Sequence, residues 1–311
     1  MKNKKLVVAL GRNCFGETFP EQKKNVARAA KAIADLIEAK YDVVITHSNG
    51  AQVGMLQTAM TEFSRLDSKY TVAPVSLCGA LSQGYIGYDL QNAIRTELLN
   101  RGVYKTVSTI ITQVRVDPFD KAFNSPTKII GRTMSKEEAE AEEEKGNHVV
   151  SDGKGGYRRI IASPKPIDIY EIDAIRALND AGQVVIAAGG GGIPVLEQGT
   201  ALKGASAIIE KDYTAAKLAD MLDASTLLFL TEVDCMSVHQ GTSDEKPLGK
   251  LTAKEALKFT KEDHFDAITT QPKMEAAISF VTAAPERTAI ITHVDKALDA
   301  IEGNIGTIIT S

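Results

Sequence analysis

Val184-Val-Ile-Ala-Ala188 runs straight into Gly189-Gly-Gly-Gly192, a short apolar strand that ends in four glycines. The same device occurs twice more, in Leu6-Val-Val-Ala-Leu10 before Gly11-Arg12-Asn13 and in Val43-Val-Ile45 before Asn49-Gly50. Glycine at a strand end lets backbone approach a ligand closely, and a following helix turns its positive end there, which suits phosphate. Between the first two turns, residues 21–40 carry Val26, Ala29, Ala30, Ile33, Leu36 and Ile37 at helical spacing, so the chain opens as strand, helix, strand.

Helices are expected at 52–66 and 82–101. In the second, Ser82 can cap, Ile86, Leu90, Ile94 and Leu98 form the apolar stripe, and Gly102 can close the end. A strand at 106–115 follows. Beyond residue 170 the pattern gives helix 171–181, strands 183–188 and 206–210, helix 212–223, strand 226–231, helices 252–261 and 272–283, strand 288–293, helix 295–302 and strand 306–310. This alternation predicts an α/β fold with a mostly parallel sheet covered on both faces. Ligands on such sheets sit at the strands' carboxyl ends, where all three glycine turns lie, so one composite site between two halves is expected. Residues 117–160 break the alternation with Asp117-Pro118, an acidic run from Glu137 to Glu144 and Gly153-Lys-Gly-Gly156. They read as a small mobile flap outside the main sheet, the acidic run being a solvated helix face.

Composition narrows the function. With 311 residues, 43% hydrophobic content, 24% charged residues and a net charge of −4, the chain is of globular type and lacks the basic stripe that nucleic-acid binding requires. Cys14, Cys78 and Cys235 are far apart and fit neither a disulfide framework nor a zinc site, which favours a reducing cytoplasm. The charged start at residues 1–5 leads into too short an apolar run for a signal peptide, and no segment is long enough to span a membrane.

Several familiar motifs nearly fit and fail. Gly11 to Thr18 has the spacing of a phosphate-binding P-loop, but Glu17 stands where its lysine belongs and reverses the charge. A dinucleotide fingerprint would need glycine at Asn13 or at Pro194. No Gly-x-Ser-x-Gly elbow exists, and His47 reads as a strand-end residue with its ring bonded to backbone. What remains is lysine chemistry. Lys128, Lys211 and Lys273 each lie just beyond an apolar segment, where a cation can reach into a cleft.

Taken together the segments resemble carbamate kinase, of the amino-acid kinase superfamily, over essentially the full length. The resemblance rests on Thr46-His47 with Asn49-Gly50; Ser82-Gln-Gly-Tyr-Ile-Gly-Tyr88; Thr112-Gln-Val114; Pro126-Thr127-Lys128; Gly189-Gly-Gly-Gly-Ile-Pro194; Lys211-Asp212; Leu230-Thr231 with Val233-Asp234; and Pro272-Lys273. It implies a three-layer αβα sandwich over residues 1–311, with an acceptor-binding half near 1–170 and a nucleotide-binding half near 171–311. The implied reaction is reversible phosphoryl transfer between ATP and carbamate, giving ADP and carbamoyl phosphate, as used in arginine fermentation. By resemblance Lys211 and Lys273 hold nucleotide phosphates, Lys128 on the flap reaches the transferred group, and Asp212 orients the lysines. Gly11, Arg12, Asn13, Asn49 and Gly50 surround the acceptor, while Gly189, Gly190, Gly191, Gly192, Thr231 and Asp234 border the nucleotide. Mg2+ rides on the nucleotide phosphates rather than on a protein metal site, and the family's members are usually homodimers.

The chain departs from the family's pattern at Arg12, Ser48 and Ala51, where the family has glycine, glycine and proline, and at Ile268-Thr-Thr-Gln271, where the family has Gly-Ser-Met-Gly. Arg12 leaves three readings open. Arginine forced into positive φ costs about 1–2 kcal/mol, and an amide turned from the anion costs about 3–4 kcal/mol of transition-state stabilisation. A guanidinium could instead grip a larger carboxylate, or it could point outward without consequence. A divergent acceptor, or a nucleotide-binding regulator without turnover, are the alternatives to carbamate kinase activity.

Overall fold

The computed structural model of the chain describes residues 4–67, 69–262, 264–266 and 269–311. Ile268, within one of the departures read above, and residues 1–3 of the charged start lie outside the described residues.

Strand Lys4–Leu10 shows why the layers form. Leu6, Val8 and Leu10 enter one hydrophobic core while Val7 and Ala9 enter the other, so both faces must be covered. The strand lies inside an eight-stranded sheet whose order is Lys250–Thr252, Thr307–Thr310, Thr288–His293, Thr226–Thr231, Lys4–Leu10, Tyr41–His47, Val184–Ile186 and Val107–Thr109. Neighbours run parallel except where Thr307–Thr310 meets Thr288–His293. Among the described residues nine helices occur: α1 Phe19–Glu38, α2 Gly50–Leu66, α3 Val75–Asn100, α4 Lys136–Glu144, α5 Ile172–Asp180, α6 Lys211–Met221, α7 Ala253–Lys261, α8 Gln271–Ala283 and α9 Ala297–Ile301. Helices α1, α3 and α9 cover one face, and α5 to α8 cover the other. This is the expected three-layer α/β arrangement.

Local signals explain the element ends. Thr18 and Glu21 form a capping box that starts α1, and Gly102, at φ +73°, ends α3 as Val103 N–H turns back to the Leu98 carbonyl at 2.8 Å. Ser82, however, does not cap. Helix α3 begins seven residues earlier, after Pro74, and Ser82 is buried inside it with its hydroxyl donating to the Gly79 carbonyl.

Two strand expectations are corrected. The run 106–115 is divided: Val107–Thr109 belongs to the main sheet, and Gln113–Val116 joins a second, four-stranded sheet with Pro166–Ile169, Ile193–Gln198 and Ala201–Gly204. The ladder breaks because side chains take the next amides, Gln83 accepting from Thr112 N–H at 2.8 Å and Glu171 from Gln113 N–H at 2.7 Å. Residues 206–210 form no strand, and Ala207 makes only an isolated bridge to Ala162. The missed hairpin lies just before them, turning at Gly199 with φ +62°.

The excursion at 117–160 is a structured subdomain. Strands Lys128–Met134, Tyr157–Ile161 and His148–Ser151 form an antiparallel sheet, with α4 alongside. Its inner face packs Ile130 and Ile161 against Val75 at the start of α3.

Candidate active site

Sheet register assembles the site. Leu10 pairs with both His47 and Leu230, and Ile45 pairs with Ile186, so four strands end level at one edge. The turns that follow them therefore meet.

The four-glycine turn is buried, and its left-handed backbone, with φ from +68° to +89° at Gly190, Gly191 and Gly192, needs glycine. Protein fills the space left by the missing side chains. A Cβ on Gly190 would lie 1.9 Å from the Asn49 amide, and one on Gly189 would lie 2.2 Å from the His47 ring. The turn thus stands against the end of strand Tyr41–His47 at Gly189 and Gly190, and against Ile209, just before Lys211, at Gly191. Gly191 and Gly192 N–H close onto the carbonyls of Ala188 and Gly189, so those amides are committed within the turn. Gly11 behaves similarly: its N–H donates to the Leu230 carbonyl at 2.9 Å, and a Cβ there would meet the Asn13 side chain.

Asn49 is buried and donates through Nδ2 to the Ser82 hydroxyl at 2.8 Å, while Gly50 begins α2. Asn13 keeps a buried Nδ2 with no hydrogen-bond partner among the described residues, an unused donor. Arg12 settles outward. It sits in a 3-10 turn without positive φ, its side chain is two-thirds exposed, and it pairs with Glu17. The strain reading is therefore overturned.

His47 is buried, with Nδ1 3.1 Å from the Ser48 carbonyl. Burial pushes its pKa down to about 4, opposed by the Ser48 carbonyl and aided by the nearby charge of Lys211. Lys211 also acts on buried Cys14, just past Gly11, whose thiol burial pushes up to about 12. The first glycine turn, the second turn and Lys211 thus share one electrostatic neighbourhood.

That neighbourhood centres on Asp212. One carboxylate oxygen pairs with Lys211 and the other with Lys273 at 2.5 Å. Asp212 is only 2% exposed. Burial alone would raise its pKa, but the two ammonium groups outweigh burial and hold it well below the usual carboxylate range. Burial pushes Lys211 down, an effect the adjoining Asp212 opposes. Both ammonium groups lie over the Phe229 ring, at 5.8 and 5.5 Å from its centroid. Two helix N-termini supply them, Lys211 opening α6 and Lys273 standing in the first turn of α8. Lys128 joins from the flap by pairing with Glu210, the residue before Lys211. Three ammonium groups against two carboxylates leave the cluster with spare positive charge.

Thr214, one turn into α6, donates to the Gly191 carbonyl at 2.9 Å and ties this cluster to the glycine turn. Gln83 is a functional neighbour that spacing did not reveal. Buried in α3, it donates to the carbonyls of Gly189 at 3.0 Å and Thr112 at 3.2 Å, holding the turn in place. Glu210 was equally unmarked, although an acid next to a lysine expected in a cleft was an available signal. Thr231 lies at its strand end, and its hydroxyl donates to the Val233 and Thr292 carbonyls at 3.1 Å, shaping the segment that leaves Asp234 exposed at the same edge.

Comparison with known proteins shows the family. The amino acid kinase family model matches residues 4–293, and the chain belongs to that family. It is 47% identical over 307 residues to the carbamate kinase-like protein YqeA of Escherichia coli (strain K12), across 99% of both chains. Against the carbamate kinase of Clostridium perfringens it is 44% identical over 309 residues, covering 97% of this chain and 98% of that protein. The solved carbamate kinase from Giardia lamblia bound to AMP-PNP superposes with a TM-score of 0.93 at 34% identity, covering 99% of this chain and 98% of the other. By family the chain is a carbamate kinase-like phosphotransferase and an ATP-dependent kinase.

Proposed function

We propose that the chain transfers a phosphoryl group reversibly between ATP and carbamate, with Lys128, Lys211, Asp212 and Lys273 as its working residues. The observation that carries this reading is the buried Lys211–Asp212–Lys273 bridge at two helix N-termini, beside the glycine turn and below the flap lysine. An anionic acceptor needs no general base, which accords with His47 being packed under Gly189 and neutral near pH 7. The difficulty is repulsion between two anions, so the protein must align them and offset their charge. Lys211 and Lys273 would hold phosphate oxygens, and Asp212 keeps their heads apart and aimed. Lys128 would leave Glu210 for the transferred group. Asn13 Nδ2, Asn49 and the free N–H groups at the start of α2 would receive the acceptor, with Gly189 and Gly190 shaping its floor. The segment Thr231 to Asp234 would border the nucleotide.

Both oxygens of Asp212 are taken by ammonium groups, so Mg2+ would be carried by the nucleotide phosphates, where it adds neutralising charge. The same reading makes the protein a cytoplasmic homodimer serving arginine breakdown. Supporting a dimer, α3 exposes Leu77, Leu81 and Tyr88 along one face.

Purified protein given ADP, Mg2+ and carbamoyl phosphate should form ATP promptly, and Lys273→Met should lower that rate by about 100-fold or more. No ATP despite measurable nucleotide binding would sink the reading and leave a different acceptor or a regulatory role.

A further inference from the structure

A cavity of about 310 Å³ opens between α2 and the flap, and none of its lining residues belongs to the site above. One wall is α2, through Gln57, Thr58 and Thr61; the other is strand Lys128–Met134, through Ile130 and Met134, with α4 beside it. Most charges around it are matched. Arg65 pairs with Glu62, Arg132 with Glu138 and Lys145 with Glu142, while Glu137 accepts from the Ser135 hydroxyl at 2.8 Å. Arg159 stands apart, since its guanidinium makes no hydrogen bond or ion pair with a described residue. Glu142 acts on it only through space and is itself bonded to Lys145 and Asn147.

Strand pairing sets Arg159 opposite Ile130, on the inner face of the flap sheet that packs toward the core. Arg159 is partly buried there, and burial pushes its pKa down against the opposing charge of Glu142. A planar guanidinium with unused donors beside an apolar wall is suited to a carboxylate, which it can bind through two parallel hydrogen bonds.

We propose that this cavity is a regulatory site for a small organic monocarboxylate, whose charge pairs with Arg159 and whose apolar body lies against Ile130 and Met134. Its two walls lead directly to the catalytic cluster. Helix α2 begins at Gly50, and the flap strand begins at Lys128. A ligand bridging them fixes the flap against α2 and with it the reach of Lys128. Binding itself does not depend on which acceptor the enzyme uses.

Butyrate is the probe, and butyramide, similar in shape but uncharged, is its control. At about ten times its Kd, butyrate should slow amide exchange about tenfold in strands Lys128–Met134 and Tyr157–Ile161 of the whole chain, where exchange requires the flap to part from α2. Arg159→Gln should abolish the slowing. So should Ala141→Phe, which fills the cavity from an exposed position on α4 and leaves the flap strands unaltered. Circular dichroism confirms that each variant is folded. Equal slowing by butyramide, slowing that survives both substitutions, protection confined to the turns at 11–14 and 189–192, or no protection at all would each overturn the proposal.

Discussion

Asp212 is the residue on which the cluster depends, because it bridges the buried Lys211 ammonium and the part-buried Lys273 ammonium. Asp212→Asn keeps the shape and removes the charge, leaving Lys211 and Lys273 to repel each other out of water. Breaking a buried pair in this way costs about 3–5 kcal/mol, which urea denaturation would read directly, and ATP formation should be lost with it. Unchanged stability would show that the bridge is not structural. His47 gives the fold an acid limit of its own. Above its ordinary value of 6.5 the ring is neutral whether the chain is folded or not, and it costs nothing. As pH falls from 6.5 toward about 4, the unfolded chain takes the proton while the buried ring refuses it. Stability should therefore decline by up to about 3 kcal/mol across that window. Asp212, whose folded pKa is depressed, adds its own loss only at lower pH, below the usual carboxylate value. Denaturation midpoints measured from pH 7 to 4 should flatten in His47→Asn, and an equal slope in both proteins would count against the assignment.

At the scale of elements, the helices were readable because periodicity and caps agree, as in α1 with its buried Val26, Ile33 and Ile37. The strand at 106–115 was not, because buried Gln83 and Glu171 take the amides of Thr112 and Gln113, and no local pattern announces a side chain that arrives from another element. The glycine turn shows the same limit. Its sequence marks a tight turn, but whether the freed space serves a ligand or a neighbour is decided by Asn49 and His47, far away in the chain. Gly190 and Gly182 separate the two effects. Both have positive φ, +68° and +79°, but only Gly190 has a neighbour in the place of a Cβ. Gly182→Ala should cost about 1–2 kcal/mol of backbone strain. Gly190→Ala adds overlap with Asn49 and should cost at least about 2 kcal/mol more, with acceptor binding weakened as Asn49 is displaced. Similar losses for the two variants in urea denaturation would mean that backbone conformation alone is at stake.

For the molecule as a whole, the lysines could be marked from sequence but their convergence could not, since the contacts of Lys128 with Glu210 and of Lys273 with Asp212 span 82 and 61 residues. The division near residue 170 belongs to the chain's expected roles, and the sheet crosses it. Val184–Ile186 lies between Tyr41–His47 and Val107–Thr109, and Lys4–Leu10 pairs with Thr226–Thr231. Each hydrophobic core draws on both sides of the boundary, one joining Val7 and Val44 to Phe229 and Phe280, the other joining Leu6 and Ile33 to Leu228 and Ile290. Neither half can bury its own sheet without the other. The flap differs, because its inner face forms only a small satellite cluster of Ile130 and Ile161 with Val75. Calorimetry should therefore show one main transition, with calorimetric and van't Hoff enthalpies equal for the sheet and its helices. Amide exchange should show the flap strands opening at a lower free energy than the central strands. Two resolved transitions, one reported by probes at 1–170 and the other by probes at 171–311, would mean that the halves fold independently despite the shared sheet.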